Sequence, residues 1–162
     1  MLEYTSLDGT IIRVGENARE NDRLTITSAP KYWWMHVAGY SGAHVVICNE
    51  SNPLPKETRK DATVLAIHHS NAPDTKMSCV DMVRVEQTVW VRQAGKVKLE
   101  GDLVELSIFM RREKERLDRL LKNRRYIMKL APLGVFYIYV LRKLYNLGKK
   151  KPPRKKRFAP WV

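Results

Sequence analysis

Residues Trp33 to Ile47 read W-W-M-H-V-A-G-Y-S-G-A-H-V-V-I. Two apolar runs, Trp33 to Val37 and Ala43 to Ile47, flank a break of small residues from Ala38 to Gly42. Gly39 and Gly42 accept backbone angles closed to other residues, so the runs are expected to be two strands joined by a tight turn or bulge. That pairing brings Trp34, His36 and His44 into one side-chain layer of a sheet. Such a layer has two readings. It is an aromatic and imidazole patch that stacks on a base or meets a phosphate, or Trp34 is core and the histidines are satisfied inside it.

Working outward, Met1 to Val14 reads as a hairpin with Asp8-Gly9 at its turn. Ala18 to Thr25 reads as a short helix or turn. Asn17, Asn21 and Asp22 suit backbone capping there; with Arg19, the two asparagines are also candidates for a polar RNA-binding pocket. Asn49 to Lys60 reads as a polar loop. Asp61 to His69 reads as a helix, with Asp61 near its positive end and Val64, Leu65 and His68 on one face. Val80 to Val91 alternates as a strand, kinked near Glu86-Gln87. Val97 and Leu99 start another strand, and Val104, Leu106 and Ile108 a third. Arg111 to about Lys129 reads as an amphipathic helix with Leu117, Leu120 and Leu121 as its stripe. Pro132 and Gly134 break it, and Val135 to Leu147 forms a second helical piece. The expected fold is α+β: a mixed sheet with short helices, then a C-terminal amphipathic helix and a basic extended tail. The expected divisions are 1–110 (globular domain), 111–147 (helices) and 148–162 (tail).

Charge is distributed unevenly along the 162 residues, whose net charge is +13. Residues 1–118 hold 16 Lys and Arg against all 17 acids, a net of −1, and residues 119–162 hold 14 cations and no acid. A cationic tail on a neutral globule points to a polyanion, because each cation that neutralises a phosphate releases counterions. Arg142, Lys143, Lys149, Lys150, Lys151, Arg154, Lys155, Lys156 and Arg157 are the tail's candidate phosphate contacts. Trp161 beyond them can stack on a base.

Other classes find little support. Two cysteines, Cys48 and Cys79, make no disulfide framework. No signal peptide, no Arg-rich presequence and no apolar run long enough to span a bilayer is visible. No H-E-x-x-H, C-x-x-C, phosphate-binding P-loop or G-x-S-x-G elbow occurs. No cofactor, metal or catalytic activity is expected. Two alternatives stay open: a metal-dependent enzyme built on His36 and His44, and a DNA-binding or membrane-proximal adaptor.

The run Val14-Gly15-x-Asn17-x-x-x-Asn21-Asp22-x-Leu24-Thr25, then Trp34-x-His36-Val37 and Gly42-Ala43-His44-Val45-Val46-Ile47, resembles the NFACT-R (DUF814) domain. That family's pattern is close to G-x-N-x-x-x-N-D-x-L-T, then D-x-W-F-H-V-x-x-x-P-G-S-H-V-V-I. Ser70 and Gly95-x-Val97 match its later helix-end Ser and G-x-V strand. The resemblance covers about residues 3–110 and implies an α+β RNA-binding module. In the family this module belongs to ribosome-quality-control factors that bind the large ribosomal subunit and tRNA; it also occurs in short stand-alone proteins. Three departures stand out. Tyr32 and Trp33 replace the usual acid, Ser41-Gly42-Ala43 replaces Pro-Gly-Ser, and Ser70-Asn71 replaces Ser-Lys. The expected protein is a non-enzymatic, ribosome-associated RNA binder, cytoplasmic or organellar. Its expected partners are ribosomal RNA, neighbouring ribosomal proteins and tRNA. It would act as a ribosomal component, assembly factor or quality-control factor.

Overall fold

The computed structural model describes residues 1–74, 76–91 and 93–127. The expected helical piece Val135 to Leu147 and the basic tail lie outside these residues. The fold is α+β. Its main element is a seven-stranded sheet in the order β8 (Val104–Phe109), β5 (Met77–Arg84), β3 (Trp33–Val37), β4 (Val45–Ile47), β2 (Ile11–Val14), β1 (Leu2–Thr5), β9 (Arg125–Tyr126). β1 (Leu2–Thr5) and β2 (Ile11–Val14) form the expected hairpin, with Leu2 opposite Val14 and Thr5 opposite Ile11. β3 (Trp33–Val37) pairs with β4 (Val45–Ile47) on one side and with β5 (Met77–Arg84) on the other. β8 (Val104–Phe109) closes one edge against β5. Every strand pair in this sheet is antiparallel, so the expected mixed sheet is corrected to an antiparallel one.

Side chains alternate across the sheet, so each strand feeds two cores. One face carries Leu2, Tyr4, Ile12, Val14, Met35, Val37, Val45, Ile47, Val80 and Met82, packed against α2 (Lys56–His68) and α3 (Lys114–Lys122). The other face carries Trp34, Val46 and Val83, covered by Leu24 of α1 (Ala18–Thr27) and by Val97 and Leu99. Those last two belong to a separate two-stranded sheet, β6 (Thr88–Trp90) with β7 (Val97–Leu99).

Three expected boundaries move. α2 starts at Lys56, inside the stretch read as a loop, because Pro55 sits at its N-cap, where a missing N–H costs nothing. Its residues Asp61 to Ile67 are all buried, since the helix lies between the sheet and α3 and has no free face. The strand expected over Val80–Val91 divides into β5 and β6 around a 3-10 turn at Val85–Gln87, near the expected kink. There the Gln87 side chain accepts from the Arg84 N–H (2.8 Å), and the Val85 N–H donates to the Tyr32 carbonyl (2.9 Å). Finally, α3 ends at Lys122, not near Lys129. The open edge of β1 offers partners, and Arg125–Tyr126 joins it as β9.

Candidate nucleic-acid interface

The resemblance run folds into a clamp. Asn17 caps α1, its side chain accepting from the Glu20 N–H at 3.0 Å. One turn later Asn21 faces inward, 6% exposed. Its Nδ2 donates to the Gly42 carbonyl (3.2 Å) and its Oδ1 accepts from the His44 N–H (2.9 Å). The Gly15 N–H donates to the His44 carbonyl (3.1 Å). A Cβ on Gly15 would sit 2.3 Å from Asn21 Oδ1, and one on Gly42 would sit 2.7 Å from the Ser70 Cβ. Both glycines are therefore required by close approach. Asp22 reaches the other way and accepts from the Gly95 N–H (2.9 Å), tying α1 to the loop between β6 and β7.

Beneath the clamp, Trp34, His36 and His44 share one layer, as the spacing implies. His44 meets Trp34 edge-on at 4.9 Å between centroids, His36 stacks on Trp34 at 5.9 Å, and the two imidazoles are 5.6 Å apart. The layer is mostly core. Trp34 and His44 are each 2% exposed. The indole N–H donates to Thr25 Oγ1 (3.1 Å), and that hydroxyl lies 2.8 Å from His44 Nδ1. Burial, then the neighbouring His36, pushes the His44 pKa down to about 4. Burial also lowers His36. Desolvation thus disfavours the protonated, phosphate-attracting form of both rings.

An open cleft of about 940 Å³ lies above this layer. The first turn of α1 forms one wall, with Glu16, Asn17 and Ala18. The loop from Ala38 to Ala43 forms the second, and Ala94 to Lys96 the third. His36 and Asp81, cross-strand partners on β3 and β5, line it from the sheet. Ser70 and Asn71 close the far end, where Asn71 Nδ2 donates to Ser41 Oγ (2.6 Å). The expected site residues thus separate. Asn17 and His36 line the cleft, and Arg19 is exposed on α1 beside it. Asn21 touches the cleft, but its carboxamide is spent on the clamp. Trp34 and His44 lie underneath, where no base can stack on the indole, which corrects their assignment as direct contacts. Arg142, Lys143, Lys149, Lys150, Lys151, Arg154, Lys155, Lys156, Arg157 and Trp161 lie outside the described residues.

Sequence reasoning missed two features of this surface and one behind it. Tyr40 is 44% exposed on the cleft wall; the signal was a lone aromatic in a turn of small residues. Asp81 is half-buried in the cleft, its pKa raised by burial and then by Glu105, its partner across the β5–β8 pair. Behind the sheet, Asp61 is fully buried in the middle of α2, not near the start of the helix. Its Oδ1 accepts from Arg116 (2.5 Å) and Arg119 (2.7 Å). Arg116 also pairs with Glu57 and Glu113, each at 2.7 Å. Two arginines three apart on the amphipathic helix were the available signal. Among the described residues, no group of three or more His, Cys, Asp or Glu is placed to hold a metal, and no helix is long and apolar enough to cross a membrane.

The chain is 38% identical over 86 residues to the Rqc2 homolog RqcH of Streptococcus suis, a stretch covering 52% of this chain and 15% of that protein. It is 34% identical over 83 residues to the Rqc2 homolog RqcH of Bacillus subtilis strain 168, covering 51% and 14%. The matched stretch is thus about one sixth or less of these relatives' length. The fold is similar to a solved structure of the C-terminal part of the fibronectin/fibrinogen-binding protein from Streptococcus suis. There the TM-score is 0.64 at 28% identity, covering 75% of this chain and 47% of that one. The model of the NFACT protein RNA binding domain matches residues 1–105, and the chain belongs to that family.

Proposed function

We propose that this protein is a non-enzymatic RNA-binding module that docks on the ribosome, with ribosomal RNA of the large subunit as its main ligand. The observation that carries the reading is the cleft: the residues of the family run build its walls, and it presents an exposed Tyr40 beside open backbone. An aromatic next to polar loop groups is how single-stranded or looped RNA is held. The globule sets orientation, and the cations after Asp118 supply phosphate neutralisation. Kinship with proteins named Rqc2 homolog supports a role in ribosome quality control, with tRNA and neighbouring ribosomal proteins as further contacts.

The test is sedimentation with ribosomal subunits through sucrose at low and high salt, followed by a binding series. If about half of the nine tail cations from Arg142 to Arg157 meet phosphates, log K should fall against log salt with a slope of roughly −3 to −4. Deleting residues 148–162 should flatten that slope. Equal slopes for the two proteins would mean the tail takes no part. Failure to sediment with subunits at any salt would overturn the reading itself.

A further inference from the structure

Resting on the RNA-binding reading, we propose that the cleft is a nucleobase pocket that selects an unpaired guanine, with Asp81 accepting from its Watson–Crick edge and Tyr40 stacking on its face. The charge of the cleft argues against a phosphate cradle. Its lining holds two carboxylates, Glu16 and Asp81, and one lysine, Lys96. A phosphate there would meet more like charge than opposite charge. A base brings donors as well as acceptors, and a carboxylate is acceptor-only.

Asp81 is placed for that use. It is half-buried, it faces Glu105 across the strand pair, and its carboxylate makes no hydrogen bond or ion pair among the described residues. A partly desolvated carboxylate without donors calls for an account. Guanine presents two adjacent donors, N1–H and the N2 amine, which match the two oxygens of one carboxylate. Adenine and cytosine each offer one exocyclic amine, and uracil one N–H. The bidentate geometry therefore selects guanine. The volume of about 940 Å³ lies within the roughly 300–1,000 Å³ usual for small-ligand sites, enough for one nucleotide and its flanking sugars. Lys96 on the rim is left for the adjoining phosphate.

The experiment uses the full chain and five labelled pentanucleotides, 5′-UUXUU-3′ with X as guanine, inosine, adenine, cytosine or uracil, followed by fluorescence anisotropy at high salt. High salt suppresses the base-blind phosphate contribution. The guanine pentamer should bind about tenfold more tightly than the adenine, cytosine and uracil ones, within the usual worth of one bidentate base contact. Inosine, lacking the N2 amine, should fall between. Asp81→Asn should level the series while its thermal unfolding stays cooperative, and Tyr40→Ala should weaken all five together. Discrimination below about twofold, or a guanine preference that survives Asp81→Asn, overturns the proposal. Base-blind binding would overturn it alone, whereas no binding of any pentanucleotide, even when the series is repeated at low salt, would overturn the RNA-binding reading as well.

Discussion

Acidification from pH 7 to pH 5 should cost this fold about 3 kcal/mol, and the histidines account for the loss. His44 is buried under the clamp and His69 lies against Tyr4, its Nε2 2.7 Å from the phenol oxygen. Burial drives both down to about 4 from an ordinary 6.5, helped by His36 in one case and His68 in the other. A base with a depressed folded pKa binds its proton first in the unfolded chain. Its contribution is whole above 6.5 and drains as pH falls from 6.5 towards 4. By pH 5 that amounts to about 2 kcal/mol for His44. His69 is more exposed and is discounted to about 1 kcal/mol for solvent screening. Asp81 works the other way, because its raised pKa adds stability as pH falls, so it trims the total. Urea unfolding followed by circular dichroism at the two pH values reads the change. The control is a His44→Asn, His69→Asn double variant, in which the pH dependence and not the midpoint is compared. If parent and double variant lose the same stability between pH 7 and 5, the histidines are not responsible.

Asp61→Ala should destabilise by about 3–5 kcal/mol, since it leaves Arg116 and Arg119 facing a dry site; a loss under about 1 kcal/mol in urea would mean α3 is not anchored there. Trp34→Ala should lower stability by about 3–5 kcal/mol, as a core tryptophan truncation does, and an unchanged unfolding midpoint would return the indole to the surface. Asn71→Lys should steepen the salt slope for RNA by about 0.7–0.9, one phosphate's worth, and a slope equal to the parent's would show that this rim does not face phosphates.

Local chemistry made most strands legible. The Asp8-Gly9 turn fixed the first hairpin, and the gap from Ala38 to Gly42 fixed the second. The period of two in Val104, Leu106 and Ile108 located the edge strand. The shared layer of Trp34, His36 and His44 followed from register alone. What the sequence hid was long-range. The first turn of α2, K-E-T-R-K, carries no apolar signal, because its one buried residue there is Thr58, bonded to Asp8 from the first hairpin at 2.6 Å. The end of α3 depended on the free edge of β1, more than a hundred residues earlier. Asp61 read as a residue near the helix's positive end because its partners sit 55 and 58 residues away. Burial likewise could not be counted from spacing, so Trp34 read equally as platform or core, and the exposed aromatic turned out to be Tyr40.

The departures from the family pattern are not independent of one another. Ser41 stands where the pattern has proline, and Asn71 where it has lysine. In this chain the two are bonded: the Asn71 side chain donates to the Ser41 hydroxyl at 2.6 Å, and the Asn71 N–H donates to the Ser41 carbonyl at 2.9 Å. A proline has no hydroxyl to accept the first bond, and a lysine at 71 would place a cation on the rim. The pair thus exchanges a rim charge for an internal bond that steadies the loop carrying Tyr40. The lining then holds more acid than base, while the unopposed cations all follow Asp118. On the proposed reading, the globule reads shape and base edges, and the cations after Asp118 supply the electrostatic share of binding.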